Sequence, residues 1–192
     1  MGGKPKPALF RDQLIIEPGI ELRTYDQSIS EELFSCVEYN RSRLREWMPW
    51  LDLTTSVDQL NVFVQSSIDG YQTGSCYRLA IFVDGKVGGV ISLEGIDTMH
   101  RLASMGYWLS SKHGGKGVMG KCVTTLLRYA FHELDLHCVE VRAATKNHRS
   151  RNVASRAGMH FDGILRQREW LYDHYVDHAV YSLLASEFAT LR

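Results

Sequence analysis

Between Ala103 and Leu134 the chain runs from a strand-like segment through a glycine loop into an amphipathic helix. That order restricts the fold to architectures that present a helix N-terminus, with its unpaired N–H groups, to an anion. Ala103-Ser104-Met105-Gly106-Tyr107-Trp108-Leu109 is followed by Ser110-Ser111-Lys112-His113-Gly114-Gly115-Lys116-Gly117-Val118-Met119-Gly120-Lys121. Gly115, Gly117 and Gly120 satisfy the dinucleotide pattern G-x-G-x-x-G, and Gly115, Gly120 and Lys121 nearly satisfy a P-loop. Both patterns fail on context. Cys122 stands where a P-loop needs a hydroxyl for magnesium, and the next strand-like run, Cys138 to Ala144, ends without an aspartate. A dinucleotide fold places its glycines directly after the first strand and a carboxylate at the end of the second. Here Ser110 to Gly114 intervene and Glu140 sits mid-strand. A turn that binds nothing is the bland alternative, yet four glycines in residues 114–120 carry an entropic cost that usually has a reason.

The chain has 192 residues, which suits a flexible lead-in over residues 1–10 and a single domain over 11–192. Lys plus Arg and Asp plus Glu both number 22, so bulk affinity for nucleic acid or an anionic membrane is not expected. There is no apolar run long enough to span a bilayer and no signal-peptide core. Cys36, Cys76, Cys122 and Cys138 stand singly, which fits core thiols in a reducing, cytoplasmic setting. His174 and His178 are four apart, but the sequence between them looks like a turn leading to a strand, where that spacing does not bring two imidazoles together. No metal site is expected.

Ile20 to Tyr25 alternates as a first strand, and two helices are expected over about 28–47 and 56–73, separated by Met48-Pro49-Trp50-Leu51. Asp84-Gly85 between Leu79–Val83 and Lys86–Leu93 predicts a hairpin. The strand at 103–109 follows, then the post-loop helix with Val118, Cys122, Leu126 and Ala130 on one stripe. Strand 138–144, a short helix over 147–157 and strands near 162–171 and 178–184 complete a mixed α/β domain with an antiparallel first half.

Several marks in this order carry a family resemblance. They are Arg45-Glu46-Trp47-Met48-Pro49-Trp50-Leu51, Gly106-Tyr107-Trp108-Leu109, Gly115-Lys116-Gly117-Val118-Met119, Asn147-His148-Arg149-Ser150, and the tail from Leu165-Arg166 through Tyr181-Ser182-Leu183-Leu184. Over about Ile20 to Phe188 the chain resembles the GNAT superfamily of N-acetyltransferases, and within it the ribosomal-protein-serine acetyltransferases. The resemblance implies a mixed, mostly antiparallel sheet of about seven strands with a splayed parallel pair, flanked by about four helices. It implies acetyl-CoA as co-substrate, with no metal. The backbone of Tyr107, Trp108 and Leu109 would pair with the pantetheine arm. The loop of Gly115, Lys116, Gly117, Val118, Met119 and Gly120 would hold the pyrophosphate, and Asn147 would bond the pantetheine portion. The chain departs from the family at four places. Gly114 replaces a Gln or Arg, Met119 a Gly or Ala, Ser104 a frequent glutamate, and Ala154 lies near a frequent tyrosine acid.

Acetyl transfer to an amine needs a neutral amine, a donor for the developing oxyanion and a proton for the leaving thiolate. At pH 7 about a tenth of an α-amine is neutral but well under a thousandth of a lysine, a gap of about 3.5 kcal/mol that favours an N-terminal acceptor when the base is modest. By position in the resembling branch, Glu169 would be the base and Ser150 the proton donor. A carboxylate beside Trp170 and near Leu171 could be partly desolvated; read alone, it is more often an exposed strand glutamate paired with Arg166 or Arg168, and only the family position brings the two readings level. Ser150 could equally cap its helix. Trp47 and Trp50 are core or the wall of an acceptor groove, with His100 and Glu94 as further groove candidates. The leading expectation is N-terminal acetylation of a ribosomal protein by direct transfer in a ternary complex. A small amine acceptor (antibiotic or polyamine), a non-catalytic acyl-CoA-binding protein and a homodimer remain open.

Overall fold

In the computed structural model, which describes residues 10–190, the Asp84-Gly85 turn joins β3 (Tyr77–Val83) to β4 (Lys86–Asp97). Both turn residues take positive φ, 51° and 75°, the geometry that matches strand twist in a two-residue hairpin. Around this hairpin one eight-stranded sheet forms in the order β1-β2-β3-β4-β5-β6-β8-β7. The other strands are β1 (Gln13–Glu17), β2 (Ile20–Arg23), β5 (Leu102–Leu109), β6 (Cys138–Ala144), β7 (His160–Leu171) and β8 (His174–Leu184). Neighbours are antiparallel except β5 and β6, which run parallel.

The sheet carries helices on both faces. Ala80, Phe82, Val87 and Val90 face α1 (Ser30–Arg45) and α2 (Val57–Thr73), meeting Leu33, Leu60 and Val64. Leu79, Ile81, Ile91 and Met105 face the other layer, where α3 (Val118–His132) contributes Cys122, Leu126 and Leu127. Leu126 and Leu127 are fully enclosed, and each such burial is worth about 1.5–3 kcal/mol. Helix α2 starts where Ser56 accepts from the Gln59 N–H and stops at Gly74, φ +74°. Helix α1 carries Glu31 and Glu32 in its first turn and Arg43 and Arg45 in its last, opposing its dipole.

Three expectations change. The expected first strand has an edge partner, β1, so the sheet has eight strands. Ile15 at its centre faces solvent, which blurs the alternation that would announce a strand. A short helix, α5 (Ala185–Phe188), follows β8 and joins α4 (His148–Arg156) to make five. The final strand begins at His174, so His174 and His178 lie on one face but about 13 Å apart. The lead-in falls outside the described residues apart from Phe10, which stacks on Tyr77 with ring centroids 4.6 Å apart.

Candidate active site

The parallel pair sets the geometry. Strands β5 and β6 are paired from Leu102↔Cys138 to Met105↔Val141 and no further. Beyond that point Gly106 to Leu109 stay paired with β4 alone, and the β6-facing edge of that stretch has no strand partner. A cavity of about 550 Å³ occupies the wedge. Leu33, Val37 and Phe63 from the α1–α2 layer line it, as do Asn147 and Ser150 at the start of α4 and Glu169 and His178 from the β7–β8 hairpin.

The connection between β5 and the glycines is pinned by a residue the sequence reading did not single out. Asn40 is buried on α1, donates Nδ2–H to Ser110 Oγ at 3.0 Å and accepts the Ser111 N–H at 2.9 Å. Arg43, one turn on, donates to the Leu109 carbonyl. Burial holds its guanidinium below the ordinary value, with Arg149 adding repulsion. The loop then turns through Gly115 and Gly117 at φ +78° and +76°, a region that disfavours side chains. Gly117 caps α3 and has no side chain to accept from the N–H groups of the first turn there. A Cβ at Gly115, Gly117 or Gly120 would meet nothing within 4 Å, so the cradle is open to a ligand.

On the other rim, Asn147 accepts the Ser150 N–H at 3.1 Å and so caps α4 itself; Ser150 is not the cap. Tyr107 donates its O–H to the Ser150 carbonyl at 3.0 Å, and its ring reaches the cavity. Burial pushes the Tyr107 hydroxyl up to about 12.

Glu169 lines the cavity through a bulge. Leu165 pairs with His178 and Glu169 with Val176, so three residues of β7 face the single Asp177 of β8. Gln167 absorbs the excess at φ +48°, and its N–H donates to Asp177 Oδ1 at 2.7 Å. The two extra residues leave Glu169 diagonal to His178, whose Nε2 lies 3.2 Å from Glu169 Oε2. The expected neighbours differ. Trp170 points away from Glu169 and packs edge-on against Tyr175, so it does not desolvate the carboxylate. The partner of Glu169 is His178, in place of Arg166 or Arg168.

Trp47 and Trp50 both line the cavity, and Trp50 also packs on the Val37, Leu44 and Leu51 cluster. The hairpin tip fastens onto this stretch. Tyr172 donates its O–H to the Met48 carbonyl at 2.5 Å, under the Arg45 guanidinium, which Asp52 holds bidentately. Glu94 lines the cavity with both oxygens engaged by Arg78, and it sits opposite Ser104. A carboxylate on the neighbouring strand thus stands beside Ser104. His100 is a correction. It lies in the turn before β5, with its ring on Asp97, seven residues from Tyr107, and it does not line the cavity. Among the described residues no cluster of His, Cys, Asp or Glu is arranged to hold a metal ion. No helix is long and apolar enough to cross a membrane among them.

A family model described as an acetyltransferase (GNAT) domain matches residues 20–160. The chain belongs to the GNAT acetyltransferase family. YdaF of Bacillus subtilis (strain 168), provisionally assigned as a ribosomal N-acetyltransferase, is 30% identical over 88% of this chain and 93% of its own. The ribosomal-protein-serine acetyltransferase of Escherichia coli (strain K12) is 26% identical over 87% and 93%. The solved structure of RimL, a ribosomal L7/L12 alpha-N-protein acetyltransferase in complex with coenzyme A, superposes with a TM-score of 0.87 at 26% identity, covering 90% of this chain and 97% of that one. The microcin C7 self-immunity acetyltransferase MccE shares the fold, with a TM-score of 0.87 at 24% identity over 92% and 98%.

Proposed function

We propose that this GNAT acetyltransferase uses acetyl-CoA to acetylate the N-terminal α-amine of a ribosomal protein, by direct transfer in a ternary complex. The observation that carries the reading is the convergence of Glu169, Ser150, Asn147 and Tyr107 on one cavity in the gap between β5 and β6. The relatives named for ribosomal substrates, and the coenzyme A in the RimL structure, support the same acceptor and co-substrate. Four free cysteines suit a cytoplasmic acceptor.

The open backbone edge of Tyr107, Trp108 and Leu109 would receive the pantetheine arm, as an added strand would. The turns at Gly115 and Gly117, with Lys116 between them, would aim the N–H groups of Val118, Met119 and Gly120 at the pyrophosphate. Asn147 spends its oxygen on capping α4, which leaves its amide N–H₂ to bond the pantetheine portion. When bound, acetyl-CoA supplies the activated thioester. Glu169 takes the proton of the attacking amine, and the Ser150 hydroxyl donates toward the leaving thiolate, regaining its proton from water at the cavity mouth. Trp47 and Trp50 wall the acceptor's path and exclude water. A single carboxylate of this kind suits an α-amine, which needs about 3.5 kcal/mol less help than lysine at neutral pH.

The test is thiol release from acetyl-CoA across peptides with different N-termini and a set of small amines. Turnover confined to free peptide N-termini is expected. Preference for a polyamine or an aminoglycoside would assign the site to small-molecule chemistry, and no release with any amine would leave an acyl-CoA-binding protein.

A further inference from the structure

His178 presents two nitrogens to two different surroundings. Nε2 lies 3.2 Å from Glu169 Oε2, while Nδ1 is enclosed and has no hydrogen-bond partner among the described residues. A hydrogen on Nδ1 would be a buried donor left unmade, in the imidazolium and in the Nδ1–H tautomer alike. The neutral ring with its hydrogen on Nε2 leaves a lone pair unsatisfied and aims a donor at the carboxylate. The backbone that carries the ring is held on both sides, since His178 pairs with Ala144 of β6 and with Leu165 of β7.

Other charged groups nearby are engaged elsewhere. On β4 Glu94 is held by Arg78, and on β6 Arg142 is held by Glu140. On α4 Arg151 donates to Tyr181 and to the Thr145 carbonyl, while Asp177 spends an oxygen on Gln167. Tyr107 of β5 is tied to Ser150. This leaves the imidazole as the donor in hydrogen-bond reach of the Glu169 carboxylate.

We infer that His178 is a positioning residue for Glu169, an imidazole that donates Nε2–H to Oε2, aims the carboxylate and leaves Oε1 for the acceptor amine. The inference rests on the proposed reading of Glu169 as base. In the step it serves, the amine N–H bond breaks as the Oε1–H bond forms, and the nitrogen keeps its electron pair for the new bond to the acetyl carbon. His178 takes no proton, because its second nitrogen has no acceptor for a hydrogen. The proton therefore leaves Oε1 through the cavity mouth to water.

The experiment is steady-state kinetics of the full chain with a peptide acceptor, comparing wild type, E169Q, H178F, H178Q and the E169Q/H178F pair. Melting curves and acetyl-CoA titrations establish that each variant is folded and binds. H178F should lower kcat by about tenfold or more, with the KM for acetyl-CoA within about twofold. H178Q, whose amide N–H can reach the same oxygen, should recover most of the loss. In the E169Q background H178F should cost nothing further, since there is no carboxylate left to hold. A folded H178F at wild-type kcat beside a slow E169Q overturns the inference and leaves the base in place. So does a folded H178Q as slow as H178F, or a loss that adds fully to that of E169Q. An E169Q enzyme as fast as wild type instead removes the base, and the inference falls with it.

Discussion

Tyr107 shows how far single residues could be read in advance. Its proposed backbone role rests on the Gly106-Tyr107-Trp108-Leu109 mark, but its hydroxyl bond to the Ser150 carbonyl depends on where α4 begins in space. Burial raises its folded-state pKa to about 12, above an unfolded value near 10. Because the folded value is the higher one, the stability tied to the neutral hydroxyl is complete below about pH 10 and is lost as pH rises toward 12. Tyr71, also raised to about 12 by burial and its bond to Asp12, adds to the same loss. Melting temperature measured against pH should hold up to about pH 10 and then fall, less steeply in Tyr107→Phe. An identical alkaline slope in that variant would remove Tyr107 as a source of the loss. That Glu169, Ser150 and Asn147 would share one cavity was legible through family position. His178 was not, because its approach to Glu169 depends on the strand register and on a bulge that no local pattern announces.

Elements are where the loop and the bulge act. Gly117 sits at φ +76°, so Gly117→Val should cost about 1–2 kcal/mol of backbone strain and also obstruct the cradle. Gly120 differs: it lies inside α3 at ordinary φ with open space around it. Gly120→Ala should raise the stability of the free protein by up to about 1 kcal/mol while weakening acetyl-CoA binding. Chemical denaturation and calorimetric titration read the two effects separately, and an Ala variant that binds as tightly as wild type would show that Gly120 does not touch the ligand. The bulge makes a parallel case. Asp177→Ala removes the side-chain acceptor of the exposed Gln167 N–H and should cost about 1 kcal/mol, with a drop in kcat as Glu169 loses its aim; Asp177→Asn keeps an acceptor and should retain both. Equal kcat in the Ala and Asn variants would mean that the bulge holds without that bond. Periodicity found the central elements because their apolar residues repeat against one core face. It passed over β1 and α5, at the margins, where five and four residues are too few to repeat.

At the scale of the whole molecule, sequence order gave the mixed α/β class, while the wedge itself is a property of topology. Strand β5 follows β4 by an antiparallel turn and meets β6 in parallel after α3 has crossed over, and that pairing stops after four residue pairs. Gly89 allows the close approach on the other side, since a Cβ there would lie 2.3 Å from the Trp108 carbonyl oxygen. Beyond Met105 strand β5 is therefore held hard against β4 and free toward β6, and the β7–β8 hairpin reaches back through Tyr172 to Met48 to bring Glu169 to the gap. The central claim is that this gap deprotonates and acetylates an α-amine with Glu169 as base. Its most direct test uses a peptide with a free N-terminal serine and one internal lysine, incubated with acetyl-CoA at pH 7 and read by mass spectrometry over time for wild type and E169Q. The account predicts acetyl on the α-amine alone, at a rate that falls by at least about 10²-fold in E169Q while acetyl-CoA affinity is unchanged. Acetylation of the lysine at a comparable rate, or an E169Q enzyme at wild-type speed, would contradict it.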